Sequence, residues 1–341
     1  MTVHCSLNVL GIETSCDDTS LALFSTERGV IANLTANQLI HDKYGGVVPE
    51  LASRAHIKNL LPVYRALLAE SGMKAEDLDG IGVSNGPGLI GSLLVGVSFA
   101  KALAYALKLP LVGVHHIEAH IHANELEGET LQTPAVVLVV SGGHTCLYHI
   151  PLPGRYDLVG NTRDDAAGES FDKIAKLLGL GFPGGPAIEN AAKQGDGDAI
   201  QFPRAMMKKD NLEFSFSGLK TAVMLHVERQ GRLQPKAVSD IGASAQRAIV
   251  DVLIEKTMMC ASRHKVDHIY LAGGVAANQL LREELAGSCA GKGLHYHAPL
   301  LQYCTDNGAM VACTAAGYLD RGHDDTLHLD VFARGPVSSW A

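Results

Sequence analysis

The sequence predicts an α/β protein of two lobes, and three observations indicate this fold class. Strand-like apolar runs alternate with helix-like segments, a strand–turn–strand pattern occurs twice, and 341 residues are enough for two separate cores. Glycine contributes 36 residues, a share above the roughly 7% that is usual in proteins. This composition favours an enzyme with many tight backbone turns.

The repeated pattern consists of two apolar strands around a short polar turn. The first copy joins residues 7–12 to residues 20–24, and the second joins residues 135–140 to residues 146–150 through a turn at 141–145. Small residues in such turns allow backbone N–H groups to converge on an anion. The repeat predicts an internal duplication with one copy in each lobe.

Between and after these copies, predicted strands and helices alternate in the order that is typical of sheets covered by helices. The predicted helices are 52–70, a helix that starts near Gly88, 170–178, 186–193, 241–262 and 306–320, and the predicted strands are 80–83, 111–114 and 268–271. The segment 195–234 is polar, and we expect it to be an irregular insertion on the second lobe.

Net charge, aromatic content and the cysteine pattern limit the kinds of function that the sequence predicts. The net charge of −8 disfavours binding of nucleic acid through the overall field of the protein, and only 5% of residues are aromatic, so stacking platforms for single strands are not evident. The seven cysteines form no CxxC pair, which is typical of reduced cytosolic thiols. Without a signal-peptide pattern or an apolar run near the ~20 residues of a membrane span, we expect a soluble cytoplasmic protein with no membrane partner.

Two histidines at helical spacing predict a metal site. His116 and His120 are four residues apart, so both imidazoles lie on one face of a helix and can reach one ion. The candidate third ligand is Asp306, before the last predicted helix, and its alternative role is that of a helix N-cap. Two histidines and one aspartate leave coordination positions of the metal open, so the metal can act as a Lewis acid on a substrate oxygen.

A metalloprotease is the alternative for a histidine pair at this spacing. That class requires the pattern His-Glu-x-x-His, in which the glutamate directly follows the first histidine. Here the glutamate is Glu118, two residues after His116, where it points to another face of the helix. The spacing therefore disfavours a protease.

A dinucleotide-binding pattern, G-x-G-x-x-G, occurs at residues 86–91, after a strand and at the start of a helix. A dinucleotide site also requires an acidic residue about 20 positions further on, at the tip of the next strand. The next strand, 111–114, leads instead into His115 and His116, and Pro87 lies inside the turn. Close packing of the helix against the sheet is the favoured reason for these glycines.

Two further glycine-rich turns are candidates for holding a nucleotide. Gly273 and Gly274 follow a strand, with Asn278 one turn later, and a purine and its ribose can lie against such a loop. The other turn is 141–143. Each is also compatible with a plain structural turn, but their order along the chain together with the metal helix favours binding. No Walker A pattern is present, so phosphates would be held by these turns.

Seven segments along the chain form a recognisable set. They are 11–19 (GIETSCDDT), 116–120 (HIEAH), 140–145 (VSGGHT), 181–186 (GFPGGP), 214–220 (FSFSGLK), 273–278 (GGVAAN) and 304–308 (CTDNG). Together they resemble the TsaD family, the tRNA N6-adenosine threonylcarbamoyltransferases, in its bacterial form, and the resemblance covers nearly the whole chain.

The resemblance implies the actin-like ATPase (ASKHA) fold, with two lobes of duplicated RNase H-like topology and the site in the cleft between them. It assigns residues 1–114 together with 305–341 to the N-terminal lobe. The C-terminal lobe, 115–304, is then expected to carry the metal and substrate loops. The duplication inferred from the repeated strands agrees with this fold.

The resemblance also implies the site residues. His116, His120 and Asp306 are expected to bind one divalent metal ion, iron or zinc, and Glu13 is expected to face the cleft and assist proton removal. ATP or ADP is a further expected ligand of the substrate site. The residues expected to hold the substrate, threonylcarbamoyl-adenylate, are Val139, Val140, Ser141, Gly142, Gly143, Asp172, Gly185, Glu189 and Asn278.

The implied reaction transfers the threonylcarbamoyl group from the adenylate to an adenosine beside the anticodon, in tRNAs that read codons beginning with A, and releases AMP. The implied partners are tRNA, the TsaB paralogue, the small ATPase TsaE and the enzyme that makes the adenylate. Two alternatives stand beside this function. A small-molecule kinase of the same superfamily would carry an aspartate where this chain has Glu13. A non-catalytic nucleotide-binding scaffold would lack the two histidines and the aspartate.

Overall fold

Two five-stranded sheets, each with its own helices, divide the chain into two units. The computed structural model describes residues 6–38, 46–207 and 210–340. The first unit comprises Met1–Leu131 and Thr305–Val337, and the second comprises Gln132–Cys304 and Ser338–Ala341.

The strands and helices are numbered in chain order, and short 3₁₀ turns are left without labels. The first unit contains β1 (Asn8–Glu13), β2 (Thr19–Ser25), β3 (Gly29–Ala36), α1 (Pro49–Ser71), β4 (Gly80–Gly86), α2 (Ile90–Leu107), β5 (Leu111–His115), α3 (His116–His122) and α9 (Gly308–Asp320). The second unit contains β6 (Ala135–Val140), β7 (Thr145–Ile150), β8 (Asp157–Asn161), α4 (Ala167–Leu178), α5 (Gly184–Ala192), α6 (Ser217–Gln230), α7 (Pro235–His264), β9 (His268–Ala272), α8 (Gln279–Ala290) and β10 (His295–His297).

The two sheets have the same topology. Their strand orders are β3-β2-β1-β4-β5 and β8-β7-β6-β9-β10. In each sheet the first three strands in the chain pair antiparallel, and the last two are added in parallel on the other side of the first strand. The predicted internal duplication is confirmed, and β1 and β6 are equivalent central strands.

Helix α9 lies directly on the first sheet, where it contacts β1, β2 and β4. The closest approach is at Gly11, where an added Cβ atom would lie 2.2 Å from the carbonyl oxygen of Gly308 and 2.5 Å from the backbone nitrogen of Ala312. Only a residue without a side chain fits between the strand and this helix. The contact therefore fixes the position of the start of α9, which immediately follows Asp306.

The glycines of the dinucleotide-like pattern also serve close packing. A Cβ atom at Gly88 would lie 2.5 Å from the carbonyl oxygen of Ser15, and one at Gly91 would lie 2.6 Å from Oγ of Ser53. These glycines bring the start of α2 close to the β1–β2 turn and to α1. The interpretation that they allow close packing is confirmed.

Helix α2 is, among the described residues, the one helix that is long and apolar enough by composition to cross a membrane. One face of this helix packs in the core of the first unit. It contacts α1 and β4, and its inward face, with Leu93, Val97 and Ala100, is buried.

The segment 195–234 differs from the irregular insertion expected from the sequence, because Ser217–Gln230 form α6. Phe214 and Phe216, which precede it, are fully buried in the core of the second unit. Asp164 caps this helix by accepting hydrogen bonds from the backbone N–H groups of Phe216, at 2.7 Å, and Ser217, at 3.2 Å. The cap comes from about fifty residues away in the chain, so the sequence around residue 217 does not reveal it.

Residues 115–131 form part of the first unit, although the sequence analysis counted them with the second lobe. The physical reason is that α3 follows β5 without a connecting loop and contacts β4, β5 and α9. The candidate ligands His116, His120 and Asp306 consequently belong to one unit.

The close contact at Gly11 predicts that a methyl group added there destabilises the protein, whereas a methyl group added at an open position of α9 does not. The substitution Gly11→Ala is expected to lower the free energy of unfolding by about 1–3 kcal/mol, because the added methyl group must displace the backbone of α9. Urea denaturation would measure the change.

Gly317→Ala is the matched control on the same helix, since an added Cβ atom there meets only Nη1 of Arg321, at an ordinary 3.7 Å. This control is expected to be neutral or stabilising by up to about 1 kcal/mol. Equal unfolding free energies for the two variants would contradict the account of the α9 contact.

Candidate metal centre and glycine-rich loops

Two imidazoles and one carboxylate converge in the first unit. One donor atom from each of His116, His120 and Asp306 lies within 4.8 Å of the others. Nε2 of His116 is 3.7 Å and Nε2 of His120 is 3.2 Å from the same Oδ1 atom of Asp306. Both histidines are buried and Asp306 is partly exposed. The structure therefore brings together the three residues that the sequence singled out as metal ligands.

The N-cap of α9 is Asn307 and not Asp306. The side-chain oxygen of Asn307 accepts a hydrogen bond of 2.9 Å from the backbone N–H of Met310. The backbone N–H of Gly308 donates to Oγ of Ser20 at 2.9 Å, which ties the start of the helix to β2. The alternative role for Asp306 as a helix cap is wrong, and its carboxylate is directed to the two histidines instead.

Glu13 at the end of β1 is fully buried, and both of its carboxylate oxygens are engaged. One accepts a hydrogen bond of 2.6 Å from the backbone N–H of Ser15. The other accepts a short hydrogen bond from Oγ of Ser84 and lies 3.0 Å from Nδ1 of His116. Burial by itself would raise the pKa of Glu13, but the charge and hydrogen bond of His116 hold this pKa below its usual value.

Glu13 in turn determines the state of His116. Burial tends to lower the pKa of this imidazole, but the negative charges of Glu13 and Asp306 outweigh burial and raise its pKa to about 9. With its proton held on Nδ1 by Glu13, the ring directs Nε2 toward Asp306. A carboxylate behind a ligating histidine is the usual means of fixing the tautomer and orientation of a metal ligand.

The donor set fits a divalent transition metal. Two imidazoles with one carboxylate suit iron or zinc and leave coordination positions for a substrate oxygen or water. The other ring nitrogen of His120, Nδ1, is buried and has no hydrogen-bond partner among the described residues.

The β1–β2 turn adds two ionisable side chains whose pKa values are strongly raised. Burial, together with the charges of Asp17 and Asp306, raises the pKa of the Cys16 thiol well above its usual value, so this cysteine stays protonated. Burial and the same two carboxylates raise the pKa of Asp18 to about 7. Sequence reasoning gave neither residue a role, and it also missed Ser15 and Ser84, because only the folded chain shows what lies beside Glu13.

In the second unit, the candidate substrate residues begin at the end of β6. Val139 and Val140 are buried in the strand, and Ser141 opens the turn to β7, where its Oγ accepts a hydrogen bond of 3.1 Å from the backbone N–H of His144. Gly142 and Gly143 are exposed and have open space where a side chain would be. The turn thus presents bare backbone to any ligand.

Two other glycines pack closely against the backbone at this turn. A Cβ atom at Gly273, after β9, would lie 2.4 Å from the carbonyl oxygen of Val140, and the positive φ of +89° at Gly273 also favours glycine. A Cβ atom at Gly168, in the first turn of α4, would lie 2.5 Å from the carbonyl oxygen of Ser141. The ends of β6 and β9 and the start of α4 therefore meet at one edge of the second sheet.

Hydrogen bonds join the remaining candidates to the same edge. Oδ1 of Asp172 accepts from the backbone N–H of Gly184 at 2.7 Å, which fixes the start of α5 beside Gly185. From the same helix, Oε1 of Glu189 accepts from the backbone N–H of Gln279 at 2.7 Å. These two bonds tie α4 to the start of α5, and α5 to the start of α8.

Asn278 holds its loop in place with both ends of its amide. Its oxygen caps α8 by accepting from the backbone N–H of Leu281 at 3.0 Å, and its nitrogen donates to Oε1 of Gln246 at 2.9 Å. Both Asn278 and Gln246 are buried. Gln246, on α7, is a further residue that the sequence analysis did not identify.

Comparison with known proteins decides the family. The model of the family described as TsaD, tRNA N6-adenosine threonylcarbamoyltransferase, matches residues 29–313. A tRNA N6-adenosine threonylcarbamoyltransferase of Syntrophus aciditrophicus (strain SB) is 47% identical over 333 residues, which cover 96% of this chain and 97% of the relative. The same enzyme of Desulfitobacterium hafniense (strain Y51) is 50% identical over 315 residues, 92% of each chain.

The chain belongs to the TsaD family. It is an enzyme that modifies the N6 position of adenosine in tRNA with a threonylcarbamoyl group. The resemblance stated from the sequence motifs is confirmed, and these comparisons favour neither the kinase nor the scaffold alternative.

Solved structures support the ASKHA fold of this TsaD chain. The structure of T. kodakarensis HypF has a TM-score of 0.63 at 15% identity and covers 94% of this chain and 50% of its own. Component A of the (R)-2-hydroxyglutaryl-CoA dehydratase of Acidaminococcus fermentans has a TM-score of 0.55 at 14% identity, with 90% of this chain and 97% of its own covered. At such identities the likeness concerns the fold alone.

The raised pKa of His116 predicts how metal binding by this TsaD chain depends on pH. A proton on the imidazole competes with the metal, so the apparent dissociation constant for Zn²⁺ is expected to fall about tenfold per pH unit from pH 7 and to level off above pH 9. Titration against a competing chelator at several pH values would measure it.

The substitution Glu13→Gln removes a negative charge beside His116, so the pKa of His116 is expected to be lower. The dissociation constant for Zn²⁺ should then stop falling at a lower pH than in the unmodified chain. His328→Ala, which removes an exposed histidine of the first unit, should follow the unmodified chain. A Zn²⁺ affinity that is constant from pH 7 to pH 9 would contradict the assigned protonation of His116.

Proposed function

We propose that this chain transfers the threonylcarbamoyl group from threonylcarbamoyl-adenylate to the exocyclic amine of the adenosine beside the anticodon, in tRNAs that read codons beginning with A, with release of AMP. One observation carries the proposal. A chain about half identical to tRNA N6-adenosine threonylcarbamoyltransferases holds two imidazoles and a carboxylate together over a buried, ionised Glu13.

His116, His120 and Asp306 would hold one divalent ion, iron or zinc. Such an ion, when bound, offsets negative charge on a phosphate or carbonyl oxygen of the substrate. Glu13 contributes through His116, because its two oxygens are occupied by Ser15, Ser84 and this histidine. Its role is to hold the imidazole in the ligating tautomer, and direct removal of a proton from the substrate amine is not required of it.

The glycine-rich edge of the second unit would hold the adenylate. The bare backbone of Gly142 and Gly143 admits a phosphate to close range, and Gly185 lies at the start of α5, where backbone N–H groups favour an anion. Asp172, Glu189 and Asn278 keep the surrounding loops in place through their hydrogen bonds. The same surface would accept the adenosine and phosphates of ATP or ADP.

The donor is a mixed anhydride, so it is already activated. Nitrogen N6 of the adenosine attacks the carbamoyl carbon, the bond from that carbon to the phosphate oxygen breaks, and AMP leaves with the electron pair. The amine loses one proton in the process. No covalent enzyme intermediate is needed, which agrees with the protonated state of Cys16 near Asp306.

We also propose that the partners are the TsaB paralogue and the ATPase TsaE, and that an upstream enzyme delivers the adenylate in the cytoplasm. Support for a partner-binding surface comes from exposed apolar side chains on α1 and α2, which contact each other. Ile57 and Leu61 on α1 and Ile90 and Leu94 on α2 are large apolar residues with 40–66% of their surface exposed. Exposed apolar side chains on two adjacent helices are typical of a protein–protein interface.

The reaction is tested by incubating the chain and its partner proteins with threonylcarbamoyl-adenylate and unmodified tRNA. Digestion and mass spectrometry are expected to show the modified nucleoside. His116→Ala should lower transfer by roughly 100-fold or more, because the charge on the substrate oxygen is no longer offset. His328→Ala is the matched control and should transfer normally. Full activity of a folded His116→Ala chain would refute the metal's role.

The partner surface is tested with two leucines of equal exposure. Leu94→Glu is expected to weaken association with the TsaB paralogue by at least tenfold, because a charge is then buried at the interface. Leu327→Glu, at a residue with 45% exposure against 46% for Leu94, should bind normally. Analytical ultracentrifugation of the mixed proteins would measure both, and equal binding by the two variants would rule out α2 as the docking surface.

A further inference from the structure

Glu118 lies on the side of α3 away from the candidate metal ligands. The helix has seven residues and carries His116 and His120 on one face. Glu118, between them in the sequence, is only 2% exposed. It is the glutamate whose position excludes the protease pattern, and neither the family comparison nor the proposed reaction gives it a role.

The carboxylate of Glu118 is bound by a tyrosine of α9. Oη of Tyr318 lies 3.0 Å from Oε2 and 3.2 Å from Oε1 of Glu118, and it donates its proton to the carboxylate. Tyr318 stands near the end of the helix whose first residue, Gly308, follows the candidate ligand Asp306 by two positions. This hydrogen bond therefore joins α3, which carries two of the candidate ligands, to the helix that follows the third.

A second set of contacts holds the chain directly after α3. His122 lies one turn beyond Glu118, with Nε2 3.9 Å from Oε1 of Glu118 and Nδ1 2.5 Å from Oε2 of Glu125. The other oxygen of Glu125 accepts from the backbone N–H of Leu131 at 2.7 Å. Contacts of Glu118 and of His122 therefore hold both turns of α3 in place.

Helix length explains why such ties matter. A helix of seven residues is too short to be stable on its own, so its orientation is determined by tertiary contacts. Helix α9 is longer and is fixed to β1 and Ser20. Contacts with β4, β5 and Glu13 hold the start of α3, and the attachment of α3 to α9 also contributes to the distance from the imidazoles to Asp306.

We infer that Glu118 and Tyr318 are positioning residues for the metal centre, and that their hydrogen bond sets the placement of His116 and His120 relative to Asp306. This inference rests on the proposed metal site. The competing explanation is that the bond merely stabilises the fold, and the two explanations differ in what they predict for metal affinity at equal folding.

The test is Tyr318→Phe, which removes one oxygen and keeps the ring. Its dissociation constant for Zn²⁺, measured on the folded protein by chelator competition, is expected to rise roughly tenfold. Tyr64→Phe is the matched control, because Tyr64 is a buried tyrosine of the same unit whose hydroxyl has no hydrogen-bond partner in the described part of the chain. This control should bind Zn²⁺ as the unmodified chain does.

A second pair of variants covers the case in which Tyr318→Phe does not fold, since it leaves a buried carboxylate without its donor. Glu118→Gln retains an acceptor for Tyr318 and is expected to keep the Zn²⁺ affinity within about twofold. Adding Tyr318→Phe to Glu118→Gln removes the hydrogen bond without stranding a charge, and the roughly tenfold loss should then appear relative to Glu118→Gln.

The outcomes separate the inference from the metal site on which it rests. A variant without the hydrogen bond that is less stable to urea but binds Zn²⁺ with unchanged affinity would overturn the inference and leave the metal site intact. Zn²⁺ binding by the unmodified chain that is absent, or is not weakened in His116→Ala, would contradict the metal site and the inference with it.

Discussion

Helix α9 lies against strand β1 with no side chain between them at Gly11, and the geometry of the candidate metal centre depends on this contact. The chain enters the first unit again at Thr305, so Asp306 can face the histidines only if the helix that follows it is held at a fixed place. The glycine at β1, the Asn307 cap and the bond from Gly308 to Ser20 provide that place. Glu13 ends the same strand β1. This strand therefore fixes the position of Asp306, through α9, and also the position of the carboxylate that binds His116.

The duplicated sheets have taken different chemical roles at equivalent positions. In the first unit, the central strand β1 ends in Glu13, and the turn that follows carries Asp17 and Asp18 near the candidate ligand Asp306. In the second unit, the equivalent turn after β6 carries Gly142 and Gly143, which expose backbone with no side chain over it. The topology thus supplies the same turn twice, once with side chains that favour a cation and once with bare amides that favour an anion.

The sequence predicts much of this arrangement because the relevant signals are local. Apolar strands around a polar turn recur, and the spacing of His116 and His120 follows directly from helix geometry. The rest depends on residues distant in the chain. Aspartate and asparagine both cap helices, so the sequence alone could not decide between Asp306 and Asn307, and the cap of α6 is contributed by Asp164 from another part of the unit. Strand β3 has a mixed burial pattern without clean alternation, which is why the sequence analysis did not identify it.

The position of Asp306 in the chain has a consequence for protein synthesis. The ribosome completes Glu13, His116 and His120 early, and at 5–20 residues per second Asp306 follows His120 by roughly 10 to 40 s. During that interval β1, β2 and β4 lack α9, the helix that covers them. The nascent first unit therefore exposes apolar strand surface and two histidines without their third partner. A chain released before Asp306 keeps the histidines but cannot assemble the candidate three-ligand set.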